Sequence, residues 1–211
     1  MKIYRKSDFI LMKCKNKNVL DLGCIEHDHF RDRIQLGQWL HMNIKKTAGS
    51  LIGIDLLKEY IPELTSQGYQ IYYGDVEKLN DIKEISGKKF DVIVAGDLIE
   101  HLFNQGLFLD SIKPFCTSET EIIITTPNCF STHFFIPNFF KGTEPNRDDH
   151  TLWHSARTLR QVLQMKGYRI SEQYYRNEQV INGIRPFFRV MLKKLLPHTS
   201  HGLIVVAKIA T

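Results

Sequence analysis

The chain has 211 residues, 43% of them hydrophobic, which is enough for one well-buried core and short for two. Its 28 Lys and Arg against 23 Asp and Glu give a mild positive charge, compatible with an anionic or membrane-surface partner but requiring neither. No run reaches the ~20 apolar residues of a membrane span.

The N-terminal stretch "MKIYRKSDFILMKCKNKN" interrupts every apolar run with charge, so no signal peptide is expected. Cys14, Cys24, Cys116 and Cys129 have neither metal-site spacing nor the density of a secreted scaffold. They read as reduced thiols of a cytoplasmic protein, with Cys24 and Cys116 in or near core elements. "NVLDL" predicts a strand, followed by a helical pattern across Ile34, Leu36, Trp39, Leu40 and Ile44. "SLIGID", "YQIYYGD", "FDVIVAGD" and "EIIITTPN" predict further strands, with helices around Leu57 to Leu64 and through Leu107 and Ile112 between them. Strands alternating with helices imply βαβ units and a mostly parallel sheet covered on both faces. "FDVIVAG" is apolar on both sides, as a central parallel strand is.

After "TTPN" the rhythm breaks, and residues 129–154, with five phenylalanines and two prolines, predict an irregular segment over the sheet edge. "SARTLRQVLQMKGY" predicts a helix capped by Ser155, with Leu159, Val162 and Leu163 on one face and Gly167 as its stop. "RISEQYY" and "GLIVVAKI" predict two closing strands, the last of seven. Without repeats or low-complexity linkers, residues 1–211 predict a single domain, its core at about 17–175 and 202–209 and an insertion at about 178–200.

In a doubly wound sheet, ligands bind outside the carboxyl ends of the strands. Acids stand at four such ends: Asp21, Asp55, Asp75 and Asp97, three of them close to Gly53, Gly74 and Gly96. Capping of the next helix explains any one acid but poorly explains four. An acid ending the second strand can accept both hydrogen bonds of a ribose diol. A dinucleotide also needs G-x-G-x-x-G to bring the backbone to its pyrophosphate, and "LDLGCIEHDHF" lacks it. S-adenosylmethionine (SAM), with an ammonium, a carboxylate, a sulfonium and no phosphate, suits this turn better.

The ordered set "VLDLGC", "LIGIDL", "YYGDVEKL", "FDVIVAGDLIEHL", "IIITTPN" and "DHTLWHSARTLRQVLQMKGY" resembles the class I SAM-dependent methyltransferases, particularly a bacterial group with "TTPN" ending the fifth strand. The resemblance covers roughly residues 17–175. It implies a Rossmann-like, seven-stranded sheet with an antiparallel closing strand. It also implies that Asp21, Gly23 and Cys24 face the methionine and ribose, Asp55 and Leu56 the ribose hydroxyls, and Asp75 and Val76 the adenine edge. Gly96 and Asp97 would line the methyl-donor end. Ile25 stands where the family has a second glycine. Either it closes the pocket, leaving a non-catalytic scaffold, or the loop is remodelled, with "EHDHF" and "QWLH" closing over the cofactor.

A hydroxyl acceptor benefits from a base. His101 in "GDLIEHL", where the resemblance places the reactive end, is the first candidate, with His150 and His154 in "DDHTLWHS" next. "DLIEHL", "TTPN" and "DHTLW" are also similar to the small-RNA 2′-O-methyltransferases, which implies metal ligands at Asp97, Glu100, His101 and His150. Asp97 departs from that pattern, in which a glutamate is usual.

"FSTHFFIPNFFKG" offers aromatic surface beside the site, or core packing for its own loop. In "IRPFFRVMLKKLL", Ile184, Phe187, Phe188, Met191 and Leu195 would share one helical face, and Arg185, Arg189 and Lys193 another. Such a segment predicts peripheral contact with anionic lipid, or packing on its own sheet or in a homodimer. The resemblance favours a small-molecule, glycan or lipid-linked acceptor. A nucleic-acid acceptor is disfavoured by the absence of a dense basic patch.

Overall fold

The computed structural model describes residues 3–26, 30–145, 147–177 and 195–210. Its strands are β1 (Ile3–Tyr4), β2 (Asn18–Leu22), β3 (Ser50–Asp55), β4 (Ile71–Tyr73), β5 (Val92–Gly96), β6 (Glu121–Pro127), β7 (Tyr168–Arg176) and β8 (Gly202–Ile209). They form one sheet in the order β1-β7-β8-β6-β5-β2-β3-β4. β8 runs antiparallel to both its neighbours, and every other pairing is parallel. The expected seven strands are therefore eight, and the expected antiparallel closing strand, β8, lies between β6 and β7. The added strand is a two-residue edge piece, too short to leave a periodic signature in the sequence.

Strand periodicity explains the two main layers of core. Leu20, Leu22, Ile93, Ala95, Ile122 and Ile124 bury one side, against helix α5 (Gln105–Ile112) and helix α7 (Ala156–Met165). Val19, Val92, Val94 and Ile123 bury the other, against Phe9, Ile10 and Cys14 of α1 (Lys6–Cys14) and Ile44 of α3 (Leu40–Lys45). Residues alternate faces along each strand, and both faces are covered, as a parallel sheet requires. α1, which precedes β2, contributes Phe9, Ile10 and Cys14 to this second layer. Cys24 and Cys116 are buried as expected, and so is Cys14.

Three local expectations change. The pattern across Ile34 to Ile44 is two helices, α2 (Phe30–Gln35) and α3, because Gly37 turns the chain at φ 68° and leaves Leu36 exposed. The helix expected from Leu57 begins later, as α4 (Ile61–Ser66). Residues 129–154 are only partly irregular, since Thr132–Lys141 form α6. There the Ser131 hydroxyl accepts the His133 N–H, and Gly142 ends the helix in the left-handed region. α7 forms as expected, with a Ser155–Thr158 capping box. The amphipathic stretch expected at Ile184 to Leu195 falls, except for Leu195, outside the described residues.

Candidate active site

The chain leaves β2 towards β3 and β4 on one side, then crosses back to β5 and β6 on the other. The carboxyl ends of β2 and β5 are therefore the switch point where a ligand crevice opens. At the end of β2, Gly23 takes φ 65°, and a Cβ there would lie 2.8 Å from Leu98 Cδ1. The left-handed conformation favours glycine, and a Cβ would press on the end of the Leu98 side chain.

The residues after Gly23 are held from the neighbouring strand β3. The buried Asp55 carboxylate at the end of β3 accepts the Ile25 N–H at 2.7 Å and the Leu57 N–H at 3.0 Å, tying the two turns together. Burial raises the Asp55 pKa, with those amides opposing it and Asp21 adding to it. The Ile25 side chain is 4% exposed, in an apolar cluster with Cys24, Phe30, Trp39, Leu64 and Ile71. Trp39 Nε1 donates to the Cys24 carbonyl at 2.8 Å. β3 supplies the missing space at Gly53, where a Cβ would sit 2.6 Å from Cys24 Sγ and 2.8 Å from His41 Cε1. Ile25→Ala is expected to destabilise the fold by about 2–5 kcal/mol, read by urea unfolding. A loss below about 1 kcal/mol would mean that the side chain does not anchor this loop.

Asp21 is 3% exposed, with Oδ2 2.8 Å from His41 Nδ1, and so fastens α3 beneath the turn. Cys24 likewise contributes to the floor. Leu56 is exposed beside Asp55. Asp75 is half-buried and accepts the Glu77 N–H at 2.9 Å, capping the 3-10 turn Val76–Asp81, while Val76 is buried. These residues flank one rim, at the ends of β3 and β4.

At the end of β5, Gly96 leads into Asp97, which holds φ 55°. Lys6 Nζ donates to Asp97 Oδ2 at 2.9 Å, and Arg176 and the Thr125 hydroxyl donate to Oδ1 at 2.8 and 3.0 Å. Burial pushes the Asp97 carboxyl up, but Arg176 and Lys6 outweigh it and hold the group well below the usual carboxylate range. Neither cation was recognised from the sequence. Arg176 ends a strand with no local motif, and Lys6 lies in the charged N-terminal stretch.

Beyond Asp97, the 3-10 turn Ile99–His101 carries the reactive candidates. The Thr151 N–H donates to the Glu100 carbonyl at 2.9 Å, and the Thr151 hydroxyl lies 3.1 and 3.2 Å from the Glu100 and Leu102 carbonyls. This clamp brings His150 against His101, with ring centroids 4.6 Å apart. His101 Nδ1 lies 3.2 Å from the Asp149 carbonyl oxygen and 3.4 Å from its carboxylate. Both are acceptors, so in the neutral ring Nδ1 carries the proton and Nε2 is basic. Burial, followed by the neighbouring His101, lowers the His150 pKa.

Glu100 is 1% exposed, and neither of its carboxyl oxygens has a hydrogen-bond partner among the described residues. Burial, then the Asp97 charge, pushes its pKa up to about 8. One ligand atom each from Glu100, His101 and His150 lie within 4.8 Å of one another. Asp97, the fourth ligand expected from the sequence, is engaged with Lys6 and Arg176 instead. His154, the remaining histidine candidate, is buried and accepts the Gln105 amide N–H at 2.7 Å.

No family profile and no curated protein matches the chain. Solved structures do. A SAM-dependent methyltransferase from Archaeoglobus fulgidus is 16% identical at TM-score 0.59, covering 95% of this chain and 90% of its own. A second, from Clostridium acetobutylicum, is 12% identical at TM-score 0.63, covering 97% and 91%. Magnesium protoporphyrin IX methyltransferase from Synechocystis, solved with bound S-adenosylhomocysteine (SAH), is 12% identical at TM-score 0.62, covering 97% and 82%. At these identities the shared property is the fold, a mixed α/β sheet of the Rossmann-like methyltransferase type.

Proposed function

We propose that the chain binds SAM across the ends of β2, β3 and β4 and directs its methyl group to a hydroxyl, or another nucleophile, of a small-molecule, glycan or lipid-linked acceptor. The observation that carries this reading is the buried Asp55 carboxylate, which closes the Gly23–Ile25 turn at the switch point. Two buried acids at this floor, Asp21 and Asp55, disfavour a pyrophosphate and suit a ribose diol and an ammonium. The packing of Ile25 into the apolar cluster supports a remodelled loop over a blocked pocket, and so an enzyme over a scaffold. In this reading Asp55 and Leu56 flank the ribose, Asp75 and Val76 flank the adenine, and the Gly23–Cys24 and Gly96–Asp97 backbones border the methionine end. Asp21 acts through His41 by holding the turn.

Bound SAM supplies an electrophilic methyl group on a sulfonium; the protein supplies position and proton acceptance. His101, oriented through Nδ1 by Asp149, takes the proton of the acceptor hydroxyl at Nε2. His150 packs edge-on to its ring. Isothermal calorimetry with SAM and SAH tests the reading. Wild type binds both, and Asp55→Asn binds at least about tenfold more weakly, having lost one charge-assisted hydrogen bond worth about 1.5–3 kcal/mol. Equal affinity in the variant would show that Asp55 serves only the turn.

A second reading is favoured by the unpartnered Glu100 carboxyl beside two imidazoles. One carboxylate and two histidines suit a divalent ion. Such an ion would pair the buried carboxylate, and Glu100, His101 and His150 would hold it where it could orient an acceptor oxygen. Wild-type activity under chelation separates the two readings.

A further inference from the structure

The amino ends of the parallel strands lie opposite the crevice, and three chain segments meet there. Residues 15–18, 45–50 and 87–91 lead into β2, β3 and β5, and they carry Lys15, Lys17, Lys45, Lys46, Lys88 and Lys89, all exposed. Because β2 lies between β5 and β3 in the sheet, the three lysine pairs become neighbours. Backbone hydrogen bonds fix the segments to one another. The Asn16 N–H donates to the Thr47 carbonyl, the Gly49 N–H to that of Lys17 and the Asp91 N–H to that of Asn18, each at 2.9 Å. No one segment is a dense basic run; the topology assembles one.

This charge is not offset locally. Asp91 is the one acid in the three segments, and its carboxylate accepts the Asn18 N–H at 2.8 Å. Among the described residues, none of the six lysines is in an ion pair. Towards β6, β7 and β8 the cations are paired instead: Lys13 with Glu121 and Glu172, Lys113 and Lys166 with Asp110, and Lys208 with Glu119. Lys15, Lys45 and Lys46 stand at the C-termini of α1 and α3, where a cation favours the helix dipole. Lys17, Lys88 and Lys89 have no such reason. Beside Lys88 and Lys89 opens a cleft of about 310 Å³, lined also by Asn18, Ser50 and Gln70.

Six cations on tied segments call for a polyanion. Stable lipid docking adds apolar insertion to charge, and none of these segments exposes a large hydrophobic side chain. No helix among the described residues is long and apolar enough to cross a membrane. Single-stranded nucleic acid is held largely by bases stacked on aromatic rings. Here Phe90 is buried, and Tyr69 lies beneath Lys45 Nζ, 4.4 Å from its ring centroid. A duplex presents its phosphates outward and is held by lysines, hydroxyls and amides, which are the groups this surface offers.

We infer that the amino ends of β5, β2 and β3 form a docking surface for the phosphate backbone of a nucleic-acid duplex. The three strands have five or six residues. At about 3.3 Å per residue the surface therefore stands roughly 15–20 Å from the crevice. A docked duplex is an anchor and not the methyl acceptor, and the inference does not rest on the methyl-transfer reading.

Fluorescence anisotropy of a labelled, mixed-sequence DNA duplex, titrated with the full chain at several salt concentrations, tests the docking. Wild type should bind at low salt, with log affinity falling against log salt at a slope of about −3 to −5. Lys15→Gln/Lys17→Gln/Lys88→Gln should weaken binding at least about tenfold and flatten the slope by about 2–3. Lys58→Gln/Lys78→Gln/Lys141→Gln removes the same charge from exposed positions outside the three segments, and should change affinity by less than about threefold. Circular dichroism and SAH affinity should stay unchanged in both. The inference is overturned if wild type ignores the duplex at low salt, or if the two triple variants weaken it equally, which would reduce it to net charge. Binding to phosphatidylglycerol vesicles in preference to the duplex overturns it as well. Failure of wild type to bind SAH would strike the methyl-transfer reading alone and leave the duplex result standing.

Discussion

If His101 is the base proposed above, His101→Ala is expected to lower turnover by about 10²–10⁴-fold and to leave SAH affinity nearly intact. The expectation follows from the ring's setting. Nδ1 is committed to Asp149, so Nε2 is the basic nitrogen, and the clamp of Thr151 onto Glu100 fixes the pair of histidines beside it. A residue that only packed would change stability and substrate affinity together. A base changes kcat while cofactor affinity holds. If the three-residue cluster holds a divalent ion instead, chelation abolishes activity and re-addition restores it. Glu100→Gln and His150→Ala then fall alongside His101→Ala, again with SAH binding intact. Activity indifferent to both the chelator and the His101 substitution would sink both roles and leave positioning as the whole of the catalysis.

Asp97→Asn is expected to destabilise the protein by about 1–3 kcal/mol, because it removes the charge on which a buried guanidinium and a part-buried ammonium converge. Arg176 and Lys6 both converge on this carboxylate, and the Arg176 side chain is only 4% exposed. Asparagine tolerates the left-handed backbone conformation at this position, so the variant tests charge rather than strain. The folded carboxyl titrates below its unfolded value of about 3.9. Its contribution is therefore fully present above that value and is lost as pH falls through the folded one. Urea unfolding of wild type should show this loss below about pH 4, and the variant should show a flatter acid limb. A difference within about 1 kcal/mol at neutral pH would mean that the cluster contributes no more than a surface pair.

Legibility in the sequence followed the range of the interaction. Seven strands could be read because each carries an alternating or doubly apolar run; β2, β3, β5, β6 and β8 are largely buried on both faces, whereas β4 and β7 are partly exposed. α7 could be read because its cap, apolar stripe and stop all lie within a dozen or so adjacent positions. α6 escaped because Pro137 and an aromatic outer face mask its periodicity, although Ser131 and Gly142 mark its two ends. The single helix expected over Ile34 to Ile44 split at Gly37, a signal that was present and outweighed by hydrophobic spacing.

The order of βα units, the acids at strand ends and the missing phosphate loop are properties of neighbouring residues, and the sequence by itself determined them. It therefore pointed to the switch-point crevice, to Asp55 and to the "EHL" turn. Which side chains meet across that crevice depends on contacts between distant segments. Only the tertiary structure placed Gly53 beneath Cys24, His41 beside Asp21 and the Ile25 side chain in an apolar cluster. Only it joined Lys6, Asp97 and Arg176, drawn from opposite ends of the chain, and so separated Asp97 from the cluster of Glu100, His101 and His150. Local pattern records hydrogen bonding and burial along one element, whereas charge pairing and the space around a side chain are set where elements converge.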